Sequence, residues 1–134
     1  MKFSFKNDYS EGCHPKILEA LSQYNLDQQN GYGLDVYSEN AANIIREKSK
    51  SPESKVHLVS GGTQANLIVI SSILRPHESV VSANTGHIFT NETGAIEATG
   101  HKVHGVETKD GKLRPEDIQN VLDVHTNVPH QVKQ

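Results

Sequence analysis

The segment that decides the fold spans residues 56–74 and reads VHLVSGGTQANLIVISSIL. Its first five residues form a short β-rich run, and residues 64–74 are apolar enough for a buried helix. The two glycines at 61–62 let the backbone turn between these stretches, Thr63 is suited to cap the helix, and Pro76 ends it. The segment therefore predicts a strand, a tight turn and a helix.

The same alternation continues along the chain. Residues 80–83 and 102–106 predict further strands, with a helix beginning near His87 between them. Pro115, followed by two acidic residues, begins a last helix. Strands that alternate with helices are typical of an α/β protein whose mainly parallel sheet is covered by helices.

Two short helices are predicted before the deciding segment. The first covers residues 13–24, with Pro15 in its first turn, and the second begins at a Ser38 cap and ends near residues 48–52. Residues 25–35 between them are polar and glycine-containing, which indicates a loop.

Composition excludes several classes of function. The 13 basic and 16 acidic residues give a net charge of -3 without any basic run, which argues against a nucleic-acid partner. No apolar stretch has the length of a signal peptide or a membrane span, and the single cysteine, Cys13, cannot form an internal disulfide. We therefore expect a cytoplasmic protein without a membrane partner. The eight histidines show no metal-ligand spacing, so no metal site is predicted.

The glycine turn is the first candidate for chemistry. Free N–H groups at a helix start attract an anion, so Gly62 and the Thr63 hydroxyl suit a phosphate. The spacing matches neither a P-loop nor the dinucleotide-binding glycine pattern. A plain strand-to-helix connection is the alternative interpretation.

The second candidate is His87, which follows the second strand at the end where ligands bind in parallel sheets. Its imidazole suits an acid, a base or a stacking surface. Equally, the ring could be only a local hydrogen-bonding group.

Three motifs are the most specific in the chain: SGGTQAN at residues 60–66, GHIF at 86–89 and ETGAIE at 92–97. In these motifs the chain resembles the N-terminal portion of the threonine aldolases, which belong to the β-eliminating lyase group of fold-type-I pyridoxal-phosphate enzymes. NDYSEG at 7–12, GLDVYSE at 33–39 and LRPED at 113–117 extend the resemblance over nearly the whole chain.

The resemblance implies a role for several residues. Gly62 and Thr63 would bind the phosphate of pyridoxal 5'-phosphate, and His87 would stack on its ring. Ser10 would contact the substrate carboxylate, and Tyr37 would be contributed across a subunit interface of a homo-oligomer. Catalytic groups would include His87, Glu92 and, near the substrate hydroxyl, His130.

The resemblance also implies an activity and a domain plan. The reaction would cleave threonine-like β-hydroxy-α-amino acids to glycine and an aldehyde. Residues 1–50 would form an N-terminal segment with two short helices and an interface loop, and residues 51–134 the first half of the cofactor-binding large domain. The family's Schiff-base lysine has no counterpart in residues 1–134, so we expect an inactive, truncated piece of a fold-type-I domain.

Two alternative functions remain open on the sequence. The chain could be a non-catalytic remnant that serves as an oligomerisation or binding module. It could also derive from another fold-type-I lyase or an aminotransferase.

Overall fold

The computed structural model describes Ser4 and residues 10–126. These residues fall into two compact units that divide between Leu58 and Val59. No helix among the described residues is long and apolar enough to cross a membrane.

The first unit contains two helices, α1 (Pro15–Tyr24) and α2 (Val36–Ser49). Pro15 occupies the first turn of α1, as predicted, because a proline needs no hydrogen-bond partner for its nitrogen there. The predicted loop lies between the two helices.

The capping residue of α2 lies three residues before the predicted one, which corrects the assignment of Ser38. The capping residue is Asp35, whose carboxylate accepts hydrogen bonds from the backbone N–H and the hydroxyl of Ser38, both at 2.7 Å. A carboxylate with two acceptor oxygens binds both donors, so Ser38 lies inside the first turn. At the other end, Lys50 adopts a left-handed conformation with φ of 53° and closes the helix.

The second unit contains α3 (Gly62–Ile73), β1 (Val80–Ala83), α4 (His87–Thr90), β2 (Val103–Val106) and α5 (Pro115–Thr126). The two strands pair in parallel, with Val80 opposite Val103 and Ala83 opposite Val106. This small parallel sheet with helices agrees with a truncated α/β domain, as the sequence predicted.

The strand expected over residues 56–60 does not form. Those residues adopt no regular structure, and among the described residues β1 and β2 pair only with each other. A strand is stable only when it pairs with a neighbour, and 56–60 has none in the described part of the chain. Thr63 also does not cap α3: the capping residue is Gly61, and Thr63 lies in the first turn.

The helix predicted from His87 is shorter than expected. It ends after Thr90, and a single 3-10 turn follows over Glu97–Thr99. Thr93 and Gly94 between them adopt φ of 50° and 78°, a left-handed conformation that a right-handed helix cannot continue through.

The buried apolar residues are few. Ala42 is buried in the first unit, and Ala83, Ile96 and Val103 are buried in the second. Among the described residues of the second unit, three polar residues are buried: Ser82, Glu92 and His101. The His101 Nδ1 is 3.0 Å from the Glu78 carbonyl oxygen, which satisfies one of its ring nitrogens.

Candidate functional site

Glu92 is the centre of a polar cluster in the second unit. Its side chain has no exposed surface, and its Oε1 lies 2.8 Å from the His87 Nδ1. An ionised carboxylate only accepts hydrogen bonds, so the Nδ1 carries the hydrogen and the Nε2 remains available. The structure therefore brings two predicted site residues together, with Glu92 holding the His87 ring.

The His87 side chain is 66% exposed, although its partner is fully buried. Helix α4 places His87 at its first position, directly after the turn that leaves β1. The ring is thus fixed at one nitrogen while most of its surface remains open to a ligand. A flat, oriented and accessible imidazole suits contact with another planar ring.

Asn66 completes the cluster. Its Nδ2 donates a hydrogen bond of 2.6 Å to the same Oε1 of Glu92 that meets His87. The Oε2 of Glu92 is buried and has no hydrogen-bond partner in the described part of the chain. Asn66 lies on α3, so this bond joins the helix that follows the glycine turn to the loop after α4 that carries Glu92.

The start of α3 is open. A Cβ atom added at Gly61 or Gly62 would meet nothing within 4 Å, and no side chain caps the helix. The first backbone N–H groups of a helix have no partner within it, and the positive end of the helix dipole lies beside them. Together with the exposed hydroxyl of Thr63, this turn provides a donor set that suits a phosphate.

Gln64 stabilises the approach to this turn. Its Oε1 accepts hydrogen bonds from the backbone N–H and the hydroxyl of Ser60, both at 2.8 Å. The side chain therefore reaches back over the turn and holds the residue before the glycines, much as a capping box does.

Ser10 and Tyr37 lie in the first unit. The Ser10 hydroxyl donates to the Glu11 carboxylate, and this bond holds the pKa of Glu11 below its usual value. Tyr37 lies within the first turn of α2 rather than in a loop. Its hydroxyl donates to Asp27, which raises the pKa of Tyr37 to about 12, and its ring lies 5.2 Å from that of Tyr24.

The first unit also contains a cavity of about 770 Å³, and Ser10 and Tyr37 are not among its lining residues. Charged or titratable side chains at its wall are Tyr32, Glu39, Arg46 and His57. The Arg46 Nε is already engaged by the Ser54 carbonyl oxygen at 2.9 Å.

Two further predictions from the sequence concern His130 and metal binding. His130 lies outside the described residues, so its role stays a prediction. Within residues 10–126, no group of three or more His, Cys, Asp or Glu side chains could hold a metal ion.

The contribution of Asn66 was missed by reasoning from the sequence, although the residue lies in the motif at 60–66. Its spacing of three from Thr63 places both residues near one face of α3. That spacing was the signal available, but the partner 26 residues further along the chain is set by tertiary structure.

Comparisons with known proteins point to one family. A family model described as beta-eliminating lyase matches residues 8–134. Low specificity L-threonine aldolases from Pseudomonas sp. and Pseudomonas aeruginosa are 30% and 28% identical over 96% of the chain. A solved structure of Leishmania major threonine aldolase matches 98% of the chain with a TM-score of 0.88 and 50% identity. The chain spans 38% of the length of each of these relatives.

Proposed function

Because the chain belongs to the β-eliminating lyase family, we propose that its residues form part of a pyridoxal-5'-phosphate-dependent threonine aldolase site. The proposed reaction cleaves a threonine-like β-hydroxy-α-amino acid to glycine and an aldehyde. One observation carries the proposal: the second unit combines an open helix start with an exposed, carboxylate-held imidazole.

The donor groups present fit the phosphate of the cofactor. Gly62 and Thr63 would hold it through backbone N–H groups and the threonine hydroxyl, and the absence of side-chain obstruction at Gly61 supports close approach. His87 would contact the pyridine ring with its exposed face. When bound, the cofactor acts as an electron sink for the bond that breaks next to the amino group.

The remaining residues have proposed roles at the substrate. Ser10 would bind the carboxylate, and Tyr37 would act across a subunit interface in a homo-oligomer. His130 would lie near the substrate hydroxyl. Glu92 was predicted as a catalytic group, but its full burial and its bond to His87 support a role in holding the imidazole.

The domain plan and location are also proposals. Residues 1–50 would provide the interface segment, and residues 51–134 the first part of the cofactor-binding domain. A single exposed cysteine is consistent with a cytoplasmic, reducing environment.

A segment exchange tests the proposed function. The resemblance assigns the Schiff-base lysine to sequence that residues 1–134 do not contain, so the experiment supplies that sequence from a relative. Residues 8–134 replace the matching segment of the Leishmania major threonine aldolase, and glycine and acetaldehyde release from L-threonine is measured. We expect an active enzyme in which Thr63→Ala weakens cofactor binding about tenfold or more, the usual effect of losing one hydrogen bond to a charged group.

Thr63→Ser is the matched control, since it keeps the hydroxyl and should bind the cofactor nearly as well as the parent exchange. A folded exchange protein that binds pyridoxal phosphate but releases no glycine would support the non-catalytic binding module instead. Transamination without aldehyde release would support an aminotransferase.

A further inference from the structure

We propose that Asn66 is a positioning residue of this site, which acts through the buried Glu92 carboxylate to fix the imidazole of His87. The cluster stands on its own geometry, and its link to catalysis rests on the proposed function. In this arrangement one helix, α3, carries both the glycine turn that is proposed to bind the phosphate and Asn66, which orients His87.

The carboxylate of Glu92 is buried. Glu92 is 4% exposed, so it has lost almost all its contact with water. A buried carboxylate is tolerated only when hydrogen bonds replace that water. Asn66 and His87 supply the two bonds that the described residues provide, at 2.6 and 2.8 Å.

Both donors meet the same carboxylate oxygen. With Asn66 and His87 both on Oε1, the carboxylate plane is held at one oxygen, and none of the described residues offers the second oxygen a partner that could hold it in their place. Loss of the Asn66 amide would leave the carboxylate attached only to His87. The carboxylate would then be free to rotate, and the imidazole would lose its fixed acceptor.

The backbone beside Glu92 adopts an unusual conformation. Thr93 adopts a φ of 50°, a value that residues other than glycine rarely adopt, and Gly94 adopts a φ of 78°. Both residues directly follow Glu92 and interrupt the right-handed helical conformation there, so the backbone constrains the position of the residue that carries the carboxylate. The separate role of Asn66 is to set the orientation of that carboxylate.

The experiment uses the full 134-residue chain and needs no cofactor. Nitrogen-15 NMR reports which imidazole nitrogen of His87 carries the hydrogen. We expect a hydrogen held on Nδ1 in the wild-type chain, and a mixture of the two ring forms in Asn66→Ala and Asn66→Leu. The leucine variant has almost the same shape as asparagine but carries no hydrogen-bond donor, so it separates loss of the bond from loss of packing.

Asn120 provides the matched control, because it is an exposed asparagine on α5. Asn120→Ala should leave the His87 signals unchanged. Wild-type chain alone gives a second measurement: the Nδ2 hydrogens of Asn66 should exchange with solvent more slowly than those of Asn120. Equal exchange rates, or unchanged His87 signals in both Asn66 variants, would overturn the proposal.

Pyridoxal phosphate titrated onto the same variants separates this inference from the proposed function. Weaker binding in Asn66→Ala and unchanged binding in Asn120→Ala would extend the positioning role to the cofactor. If the wild-type chain shows the fixed imidazole but binds no pyridoxal phosphate, the positioning role holds and the cofactor assignment for the isolated chain fails.

Discussion

The capping carboxylate of Asp35 makes the stability of α2 dependent on pH. The Ser38 hydroxyl, and then the Ser38 backbone N–H, hold the pKa of Asp35 below its usual value. A group with a lowered folded-state pKa stabilises the fold above its unfolded pKa of 3.8, and that stabilisation is lost as the pH falls through the folded pKa. We expect Asp35→Asn, which caps without titrating, to reduce the loss of helical circular dichroism between pH 5 and pH 2.5, values chosen to bracket the usual carboxyl range of about 4.

The comparison with Asp35→Ala completes this prediction. Alanine removes the cap at every pH, so its melting temperature should be lower than that of the wild type even at pH 7. An asparagine variant that loses helix as steeply as the wild type would show that other carboxyl groups control acid unfolding.

Lys50 occupies a position that favours glycine. Its φ of 53° lies in the left-handed region, where a side chain costs about 1 kcal/mol relative to glycine, and its backbone N–H closes α2 on the Arg46 carbonyl oxygen. We expect Lys50→Gly to increase the free energy of unfolding by about 1 kcal/mol in urea titrations. Lys48→Gly, inside the same helix, should have the opposite sign, and a gain in both variants would refute the conformational explanation.

For single residues, the sequence indicates which chemical groups are present but not which groups they contact. The glycine turn and His87 could be identified because their chemistry is local: a helix start attracts an anion, and an imidazole titrates near neutral pH. The bond between Asn66 and Glu92 could not be identified, because it joins positions 26 residues apart and depends on how α3 packs. For the same reason, the burial that suits Glu92 to hold the ring had no sequence signal.

Among the elements, the turn from β1 to α4 depends on the absence of a side chain at Gly86. A Cβ atom there would lie 2.1 Å from the Ser82 Oγ and 3.0 Å from the Ala83 carbonyl oxygen. We expect Gly86→Ala to destabilise the chain by about 1–3 kcal/mol in urea titrations, the usual cost of overpacking. The turn directly precedes His87, so the variant should also perturb the His87 NMR signals.

A double variant separates the two contacts. Ser82→Ala removes the hydroxyl that makes the closest contact, so Gly86→Ala should cost less in that background than in the wild type. Equal costs in both backgrounds would show that the carbonyl contact, not the hydroxyl, excludes a side chain at this position.

Helices were predicted better than strands, for a physical reason. Each helix satisfies most of its hydrogen bonds internally, so Pro15, Pro115 and the left-handed Lys50 mark ends that depend mainly on nearby sequence. A strand needs a partner, and residues 56–60 have strand composition but no neighbouring strand in the described part of the chain. The capping errors at Ser38 and Thr63 arose where a nearby residue, Asp35 or Gly61, took the position instead.

Across the molecule, more large hydrophobic side chains are exposed than buried among the described residues. Twenty of those described are substantially exposed, whereas Ile96 is the largest described side chain that is fully buried. Helix α3 is apolar in composition yet contains no buried residue. A helix that is apolar on most sides normally lies inside a structure, so this surface favours association of the chain.

We therefore expect copies of the 134-residue chain to associate with one another. Val69 and Ile73 lie four residues apart on α3, so they are neighbours on its surface, and they are 53% and 71% exposed. We expect the sedimentation mass to rise with concentration and the dye anilinonaphthalene sulfonate to fluoresce when bound. Ile73→Lys should lower both signals, because it places a charge in this apolar surface.

Leu26→Lys is the matched control, since Leu26 is 90% exposed in the loop between α1 and α2 and lies in no helix face. If both lysine variants lower the mass equally, the effect is not specific to the apolar surface of α3. If the wild type sediments as a monomer without binding dye, the exposed surface of α3 does not drive association.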